Sequence, residues 1–214
     1  MRLRNVKDKK LIMEQSNYLI NDYSSYRGKW NSYFKNDNPI YVEIGMGKGK
    51  FLIENAILHP DINYIGIERY DSVIARALQK VPEGLNNLAL IRANANDIEN
   101  IFDYEIDLIY LNFSDPWPKN RHHLRRLSSS VFLDKYEKIF KGNKTIEMRT
   151  DNSSLFAYSL VSFSEAGYVI HKISFDLHKD DYPLVTTEYE DRFSRDNIPI
   201  YYVSCTKDFV KKRK

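Results

Sequence analysis

Three carboxylates stand at the ends of apolar runs whose composition predicts β-strands. Glu43 lies in YVEIGMG, Glu68 ends YIGIE, and Asp115 follows YLNFS. Because the carboxyl ends of neighbouring parallel strands open onto one crevice, we expect these side chains to face a common ligand. Carboxylates in such a crevice can bind an ammonium group, accept hydrogen bonds from ribose hydroxyls or stabilise a developing positive charge. The three positions therefore predict a site for a nucleoside-like, cationic ligand.

A glycine-rich turn follows the first of these strands. Glycines occupy every second position of residues 45–49, which lets the backbone approach a ligand at the start of the next helix. The third glycine of a dinucleotide-binding fingerprint would stand where this chain has Lys50, and Glu43 would repel a diphosphate. S-adenosylmethionine carries an ammonium and a sulfonium group and no phosphate, so the turn favours that cofactor, with Gly45 and Gly47 as contacts.

Two further positions fit the same cofactor. Glu68 ends the second strand, where the ribose hydroxyls of a nucleotide-like ligand are accepted in folds of this kind. Asn94 follows the third strand in RANAND and is predicted to reach the adenine edge.

Positive charge is concentrated in three stretches of a chain whose net charge is only +3. Residues 1–10 carry five basic and one acidic side chain, residues 119–126 carry four basic ones, and residues 207–214 carry five basic and one acidic. The middle stretch comprises Lys119, Arg121, Arg125 and Arg126, directly after the Asp-Pro-Trp-Pro corner. This distribution predicts a polyanionic partner, with the middle stretch on the rim of the crevice.

Several classes of protein are excluded by composition. The single cysteine, Cys205, rules out an intramolecular disulfide framework and a Cys-rich metal site, and its apolar surroundings predict a buried, inert thiol. His122 and His123 are adjacent, which is not metal-ligand spacing, so we expect no metal. No apolar run approaches the length of a membrane span, and the N-terminus does not resemble a signal peptide. We therefore expect a cytoplasmic protein.

Strands alternate with helices along most of the chain. Seven apolar runs predict strands at residues 39–45, 63–67, 88–92, 106–113, 144–149, 168–175 and 200–206. Apolar faces predict helices at residues 71–81, 132–141 (with Gly142 as C-terminal cap) and 151–166. The alternation, closed by two consecutive strands, indicates a three-layer α/β domain with a mainly parallel sheet. We expect this domain to span residues 39–214, with residues 1–38 as a partly flexible N-terminal extension that could contact RNA.

The motifs together resemble one family. EIGMGKG, YIGIE, YLNFSDPWPKNRH, RTDN and TEYE, in this order and spacing, are similar to those of the bacterial tRNA (guanine-N7-)-methyltransferases, over nearly the whole chain. The resemblance implies a Rossmann-like fold with a seven-stranded, mostly parallel sheet and one antiparallel strand. It also implies an enzyme that uses S-adenosylmethionine to form 7-methylguanosine in the variable loop of tRNA.

The resemblance also implies roles for individual residues. The cofactor would be bound by Glu43, Glu68, Asn94 and Asp115. The tRNA substrate would be bound by Lys119, Asp151, Thr187, Glu188, Tyr189 and Glu190, to which the basic stretch adds Arg121. The family often has an aspartate where this chain has Asn94, and an amide can still hydrogen-bond to an adenine edge.

The chemistry of this reaction makes few demands on the protein. Guanine N7 has an exposed lone pair and needs no deprotonation, so the enzyme has to position the base and support a developing cation. Asp115 is the predicted catalytic carboxylate. Guanine alone presents N1–H beside an exocyclic amine, and a carboxylate can accept both hydrogen bonds. Asp151, Glu188 and Glu190 are the candidates for that contact.

Three alternatives stay open. An adenine or cytosine amino-methyltransferase commonly has an Asp/Asn-Pro-Pro-aromatic motif, whereas here Trp117 follows the first proline directly. A nicotinamide-dependent oxidoreductase is disfavoured by Lys50 and Glu43. A non-catalytic RNA-binding module on this fold is disfavoured by the intact glycine turn with Glu68 and Asp115. We expect tRNA as partner, no membrane and no obligate protein partner, and either a monomer or a homodimer.

Overall fold

A computed structural model describes residues 6–180 and 185–208 of the chain. The strands are β1 (Leu19–Ile20), β2 (Ile40–Ile44), β3 (Asn63–Glu68), β4 (Leu88–Arg92), β5 (Ile106–Asn112), β6 (Phe140–Thr150), β7 (Val169–Ser174) and β8 (Tyr201–Lys207). The α-helices are α1 (Lys9–Gln15), α2 (Trp30–Phe34), α3 (Lys50–Leu58), α4 (Asp71–Leu78), α5 (Ile98–Ile101), α6 (Ser130–Tyr136), α7 (Ser153–Glu165), α8 (Leu177–Asp180) and α9 (Glu188–Arg195). Short 3₁₀ turns lie at Tyr23–Tyr26, Ala95–Asp97 and Asn120–Arg125.

The strands form one twisted sheet in the order β1-β4-β3-β2-β5-β6-β8-β7. All neighbours are parallel except β8, which runs antiparallel to both β6 and β7. The chain order reverses beside β2, where β3 pairs on one side and β5 on the other. Ligands bind outside the carboxyl ends of strands at such a switch point. This is the edge at which Glu43 and Asp115 were predicted to meet.

The predicted fold class is confirmed, with one addition to the sheet. All seven predicted strands are present, with ends shifted by a few residues at most. The eighth strand is β1, in which Leu19 pairs with Leu90 at the edge of the sheet. A two-residue strand carries no periodic signal, so the sequence could not predict it.

One detail of the helix predictions is wrong. Gly142 does not cap a helix, because α6 ends at Tyr136 and Gly142 lies within β6. The strand begins early since Phe140 already pairs with Ile106 of β5. Tertiary pairing has thus overridden a local signal that was compatible with a cap.

Helices cover both faces of the sheet, as the three-layer prediction requires. The largest apolar core joins the sheet to α2, α5, α6 and α7, and a second core joins it to α3 and α4. Cys205 of β8 lies fully buried in the first core, as predicted, and burial raises the pKa of its thiol to about 12.

The described part of the N-terminal region is packed on the sheet. Trp30 is completely buried, and its indole N–H donates to the carbonyl oxygen of Ile101 at 2.9 Å. The backbone N–H groups of Gly28 and Trp30 donate to the Glu105 carboxylate at 2.8 and 3.0 Å. The division at residue 38 stays a prediction. Residues 1–5 and 209–214, which belong to the two basic tails, lie outside the described residues.

Candidate active site

One cavity of about 1250 Å³ opens at the carboxyl ends of β2, β3, β4 and β5. It brings together most of the predicted site residues, namely Glu43, Gly45, Gly47, Glu68, Asn94, Asp115, Thr187, Glu188 and Tyr189. Lys119, Arg121, Asp151 and Glu190 are not part of its lining. Residues from five separate strands and loops therefore meet around one space large enough for a cofactor and a base.

The glycine turn forms the floor of the cavity. The N–H groups of Gly45 and Met46 donate to the carbonyl oxygen of Ile67 at 2.8 and 3.1 Å, which ties the turn to β3. Gly45 has a φ of 83°, and a Cβ built there meets no atom within 4 Å. The backbone therefore faces open cavity space at a conformation that favours glycine.

A glycine in the neighbouring strand lets the glycine turn pack closely against the sheet. A Cβ at Gly66 of β3 would overlap the sulfur of Met46 and the side chain of Leu52. Only a glycine lets the turn and α3 pack this closely against the sheet. Gly66 is not among the predicted site residues, although a glycine inside an apolar strand is itself a signal of close approach.

Glu43 is a buried acceptor with an unmet hydrogen-bonding capacity. Its side chain is 2% exposed, and Oε1 accepts a hydrogen bond from the Asn112 amide at 2.9 Å. Its Oε2 and the Asn112 Oδ1 are buried without a partner among the described residues. Burial raises the pKa of Glu43 to about 8, although the Asn112 hydrogen bond lowers it. Two adjacent buried acceptors without donors are the complement of a ligand that carries N–H donors.

Glu68 and Asn94 are both fixed by hydrogen bonds to their own turns. The Glu68 carboxylate accepts from the N–H groups of Arg69 and Tyr70 at 2.8 and 3.1 Å. Burial raises the pKa of Glu68, and these backbone hydrogen bonds oppose the shift. The Asn94 Oδ1 accepts from the N–H of Asn96 at 3.0 Å, as an N-terminal cap. Each side chain is thus held at the cavity edge before any ligand arrives.

The chain turns sharply after β5, in a corner formed by residues 113–117. Phe113 and Trp117 both have positive φ angles, 49° and 42°, which large side chains rarely adopt. The Phe113 N–H donates to the carbonyl oxygen of Arg149 at 2.8 Å. Asp115 is exposed at the top of the corner and lines the cavity. The strained backbone sets where this carboxylate stands.

Arg126 supports the corner from below. Its Nε donates to the Pro116 carbonyl oxygen at 3.0 Å and its Nη2 to that of Trp117 at 3.2 Å. The side chain is largely buried, with the guanidinium 4.3 Å from the centre of the Tyr158 ring. The interpretation of Arg126 as part of the exposed basic rim is therefore wrong. Its guanidinium bonds within the protein, because two carbonyl groups at a strained corner need hydrogen-bond donors.

The rest of the basic stretch is exposed. Lys119, Arg121 and Arg125 surround the 3₁₀ turn at Asn120–Arg125, and Arg125 lies 5.0 Å from the Trp117 ring centre. Arg125 lines the cavity, whereas Lys119 and Arg121 lie beyond its lining. These cations can meet a phosphate backbone next to the cavity.

Another part of the cavity wall comes from residues 185–191, which we call the recognition segment. Thr187, Glu188 and Tyr189 line the cavity, and Tyr189 stacks on Phe113 with ring centres 5.7 Å apart. Glu188 forms an ion pair with Lys80. Glu190 points the other way and is fully buried. Asp151 is exposed outside the cavity lining, at the end of β6.

The TEYE motif has a local structural explanation that sequence reasoning missed. The Glu190 carboxylate accepts from the Thr187 N–H at 2.7 Å, and the Thr187 hydroxyl accepts from the Glu190 N–H at 3.1 Å. This reciprocal pair is a capping box at the start of α9. The spacing Thr-x-x-Glu was the available signal.

Neither a metal site nor a membrane-spanning helix is found in the described ranges. Across residues 6–180 and 185–208, no group of three or more His, Cys, Asp or Glu side chains could hold a metal ion. Within the same ranges, no helix is both long and apolar enough to cross a membrane.

Solved structures of methyltransferases share this fold. A solved structure titled "Structure of an antibiotic related Methyltransferase" superposes with a TM-score of 0.66 at 18% identity, covering 84% of this chain and 93% of that one. The 16S rRNA methyltransferase KamB gives a TM-score of 0.62 at 14% identity, covering 85% and 93%. Residues 37–203 match the family Methyltransf_4, described as "Putative methyltransferase". The fold is that of a methyltransferase, and the chain belongs to this family.

Relatives with higher sequence identity narrow the class. The tRNA (guanine-N(7)-)-methyltransferase of Geobacillus thermodenitrificans is 50% identical over 207 residues, covering 94% of this chain and 95% of the relative. That of Bacillus licheniformis is 49% identical over 197 residues, covering 91% and 92%. The chain belongs to the tRNA (guanine-N(7)-)-methyltransferase family, as the sequence motifs indicated.

Proposed function

We propose that this protein transfers the methyl group of S-adenosylmethionine to N7 of a guanine in the variable loop of tRNA. The observation that carries the proposal is the shared cavity, in which Glu43 and Asp115 lie with the recognition segment. Family membership supports the same reaction on the same substrate. The reaction needs a cofactor and a base side by side, and the cavity exceeds the roughly 300–1,000 Å³ of a typical ligand pocket.

The residues at the glycine turn fit S-adenosylmethionine. The buried, unpartnered Glu43 Oε2 and Asn112 Oδ1 are acceptors for an ammonium group. Open space over Gly45 allows the backbone to lie against the cofactor. Glu68 would accept the ribose hydroxyls and Asn94 would contact the adenine edge, since both stand at the cavity edge. When bound, the cofactor supplies a methyl group already activated by a sulfonium.

The protein's part in the reaction is orientation and electrostatic support. Guanine N7 attacks with its own lone pair, so no side chain has to remove a proton. Positive charge passes to the base, and the carboxylate of Asp115 stabilises it at the cavity mouth. The 113–117 corner holds Asp115 in place, with Arg126 bonded to its carbonyl groups.

Guanine would be selected by the recognition segment. Glu188 lines the cavity and can accept hydrogen bonds from guanine N1–H and its exocyclic amine, displacing Lys80. Tyr189 offers an exposed ring for stacking. Glu190 acts indirectly, because its buried carboxylate caps α9 and does not line the cavity. Asp151 would contact the tRNA outside the cavity.

The tRNA backbone would lie along the exposed cations of the basic stretch. Lys119, Arg121 and Arg125 provide phosphate contacts, which strengthen binding of any RNA sequence. The N-terminal extension and the two basic tails add further contacts to the same partner. We propose a cytoplasmic enzyme, monomeric or homodimeric, that needs no metal and no protein partner.

A tRNA that lacks only the reactive atom tests this proposal. We expect label transfer from methyl-labelled S-adenosylmethionine to an unmodified tRNA transcript. Transfer should be lost when 7-deazaguanosine replaces the variable-loop guanosine, because that base keeps its Watson–Crick edge and lacks N7. Equal labelling of both transcripts would mean that another atom is methylated. If neither transcript is labelled, the alternative of a non-catalytic RNA-binding module would be favoured.

A further inference from the structure

A buried ion pair connects the recognition segment to the sheet. Arg149, near the end of β6, donates through Nη1 to both carboxylate oxygens of Glu190 at 3.2 and 3.1 Å. The two side chains are 10% and 0% exposed. The same Nη1 donates to the carbonyl oxygen of Val185 at 3.0 Å. Arg149 thus holds the recognition segment near both of its ends.

Arg149 also touches the two other walls of the cavity. Its guanidinium lies 4.9 Å from the ring centre of Phe51, in the first turn of α3 after the glycine turn. Its carbonyl oxygen accepts the Phe113 N–H, which begins the corner that carries Asp115. One residue therefore contacts the cofactor helix, the catalytic corner and the recognition segment, and it does not itself line the cavity.

A second, more exposed anchor lies beside the first. Lys50 at the start of α3 pairs with Asp191 at 2.8 Å and donates to the Thr186 hydroxyl at 2.6 Å. These side chains are 24% exposed for Lys50 and 38% for Asp191, so solvent weakens the pair. Lys50, which stands where a dinucleotide-binding fingerprint has its third glycine, thus connects α3 to the recognition segment in this chain.

Stability alone is a poor explanation for the Arg149–Glu190 pair. Desolvation of two charges offsets most of their attraction, and apolar replacements are often as stable. A buried, hydrogen-bonded pair can instead favour one geometry, because both partners must meet to avoid an isolated charge. Here the residue held by the pair is Glu190, two positions from Glu188 of the cavity lining.

We infer that Arg149 is a positioning residue for base selection, acting through Glu190 to hold Thr187, Glu188 and Tyr189 against the cavity. The inference rests on the proposed function. It assigns Glu190 to the support of the segment and leaves guanine contact to Glu188. By the same inference, Lys50 is a second positioning residue, with a smaller effect on base selection.

The test compares two tRNA transcripts on each enzyme variant, one with guanosine and one with inosine at the target position. Inosine keeps N7 and N1–H and lacks only the exocyclic amine. The ratio of kcat/KM for the two transcripts measures recognition of that amine, and an inactive fraction of enzyme cancels from it. Wild type should favour guanosine by about tenfold or more, as expected when a polar site loses its substrate partner.

Arg149→Met should bring this ratio close to one, and Arg149→Lys, which keeps the charge without the planar fork, should lie between. Glu190→Gln should lower the ratio as well, and the double variant should lower it by less than the two single effects combined, because both variants break the same Arg149–Glu190 contact. Lys50→Met should lower the ratio less. Lys138→Met, which removes the exposed pair with Glu99 at 2.6 Å, is the matched control and should leave it unchanged.

Each outcome bears on the inference. If the Arg149 and Glu190 variants keep the wild-type ratio while both rates fall together, the pair is structural support only. Additive effects of the two variants would mean that Glu190 contacts the base directly. Should Arg149→Met fail to fold, Glu190→Gln and Lys50→Met give the same comparison. A wild type that methylates both transcripts equally overturns the inference, whereas one that methylates neither overturns the proposed function instead.

Discussion

The Arg126 guanidinium donates a hydrogen bond to the carbonyl oxygen of Trp117 at 3.2 Å, at a residue whose φ is 42°. A large aromatic residue in the left-handed region costs about 1–3 kcal/mol and persists only where its surroundings enforce it. Arg126 provides that enforcement, because it also bonds to Pro116 and stacks on Tyr158. The corner that presents Asp115 is therefore held from inside the protein.

Arg126 and Arg121 should behave differently in tRNA binding, although both belong to one basic stretch. Arg126→Met should lower the melting temperature and the methyl-transfer rate and leave the salt dependence of tRNA binding unchanged. Arg121→Met should reduce the slope of log K against log salt by about 0.7–0.9, the value for one lost phosphate contact. Fluorescence anisotropy with labelled tRNA over a salt series measures both slopes. Equal slope changes in the two variants would mean that Arg126 also contacts a phosphate.

Asp115 should affect the rate of methyl transfer more than binding. Asp115→Asn keeps the size of the side chain and removes its charge, so the rate should fall by about 10²–10³, as for other single preorganised electrostatic groups. Single-turnover rates must be taken at saturating S-adenosylmethionine, because Asp115 also lines the cofactor cavity. A saturated rate within about twofold of wild type would make Asp115 a structural residue, with catalysis due to positioning alone.

Cofactor binding should depend on pH through Glu43. Burial raises the pKa of this carboxyl from 4.5 to about 8, so it is protonated in the free protein at neutral pH. An ammonium group favours the ionised form, and binding therefore releases a proton below pH 8. Affinity should rise with pH up to about 8, by at most about tenfold per unit.

Calorimetry at pH 7 in buffers of different ionisation enthalpy measures that proton directly. Wild type should release close to one proton per cofactor, and Glu43→Gln should bind more weakly and release none. The free protein should show the opposite trend in stability. Because the folded pKa lies above the unfolded one, the stability that Glu43 contributes is lost as pH rises from 4.5 to about 8. Proton release in the Gln variant equal to wild type would assign the titration to another group.

Glu68 should contribute to cofactor affinity and not to tRNA affinity. Glu68→Ala removes the acceptor predicted for the ribose hydroxyls, and the cofactor should bind more weakly by about 1–3 kcal/mol. Glu14 of α1, which forms an exposed pair with Lys10, offers a matched Glu→Ala control with unchanged affinity. Titration with S-adenosylhomocysteine gives both values, and wild-type affinity in Glu68→Ala would remove this residue from the site.

The sequence predicts the sheet well because its strands are covered on both faces. Continuous apolar runs such as that of β4, Leu88–Arg92, have one interpretation in an α/β chain. The meeting of Glu43 and Asp115 in one cavity followed from topology, since both stand at the carboxyl edge of neighbouring strands. The positions of the two residues at the ends of their strands were sufficient to predict that they meet, without knowledge of side-chain geometry.

What the sequence could not show is the direction in which adjacent, similar side chains point. Arg125 and Arg126 are chemically alike, and one faces solvent while the other is buried under the corner. Glu188 and Glu190 divide in the same way, one toward the cavity and one toward Arg149. The capping-box spacing of TEYE was available from the sequence and would have separated this second pair.

The identity of the methylated nucleoside tests the proposed reaction most directly. Unmodified tRNA should be incubated with the protein and S-adenosylmethionine carrying a deuterated methyl group, digested to nucleosides and separated by mass spectrometry. We expect one labelled nucleoside, 7-methylguanosine, which should be absent from a parallel digest with Asp115→Asn sampled at the same early time. Label in any other nucleoside, or none in the tRNA, would show that the proposed reaction is wrong.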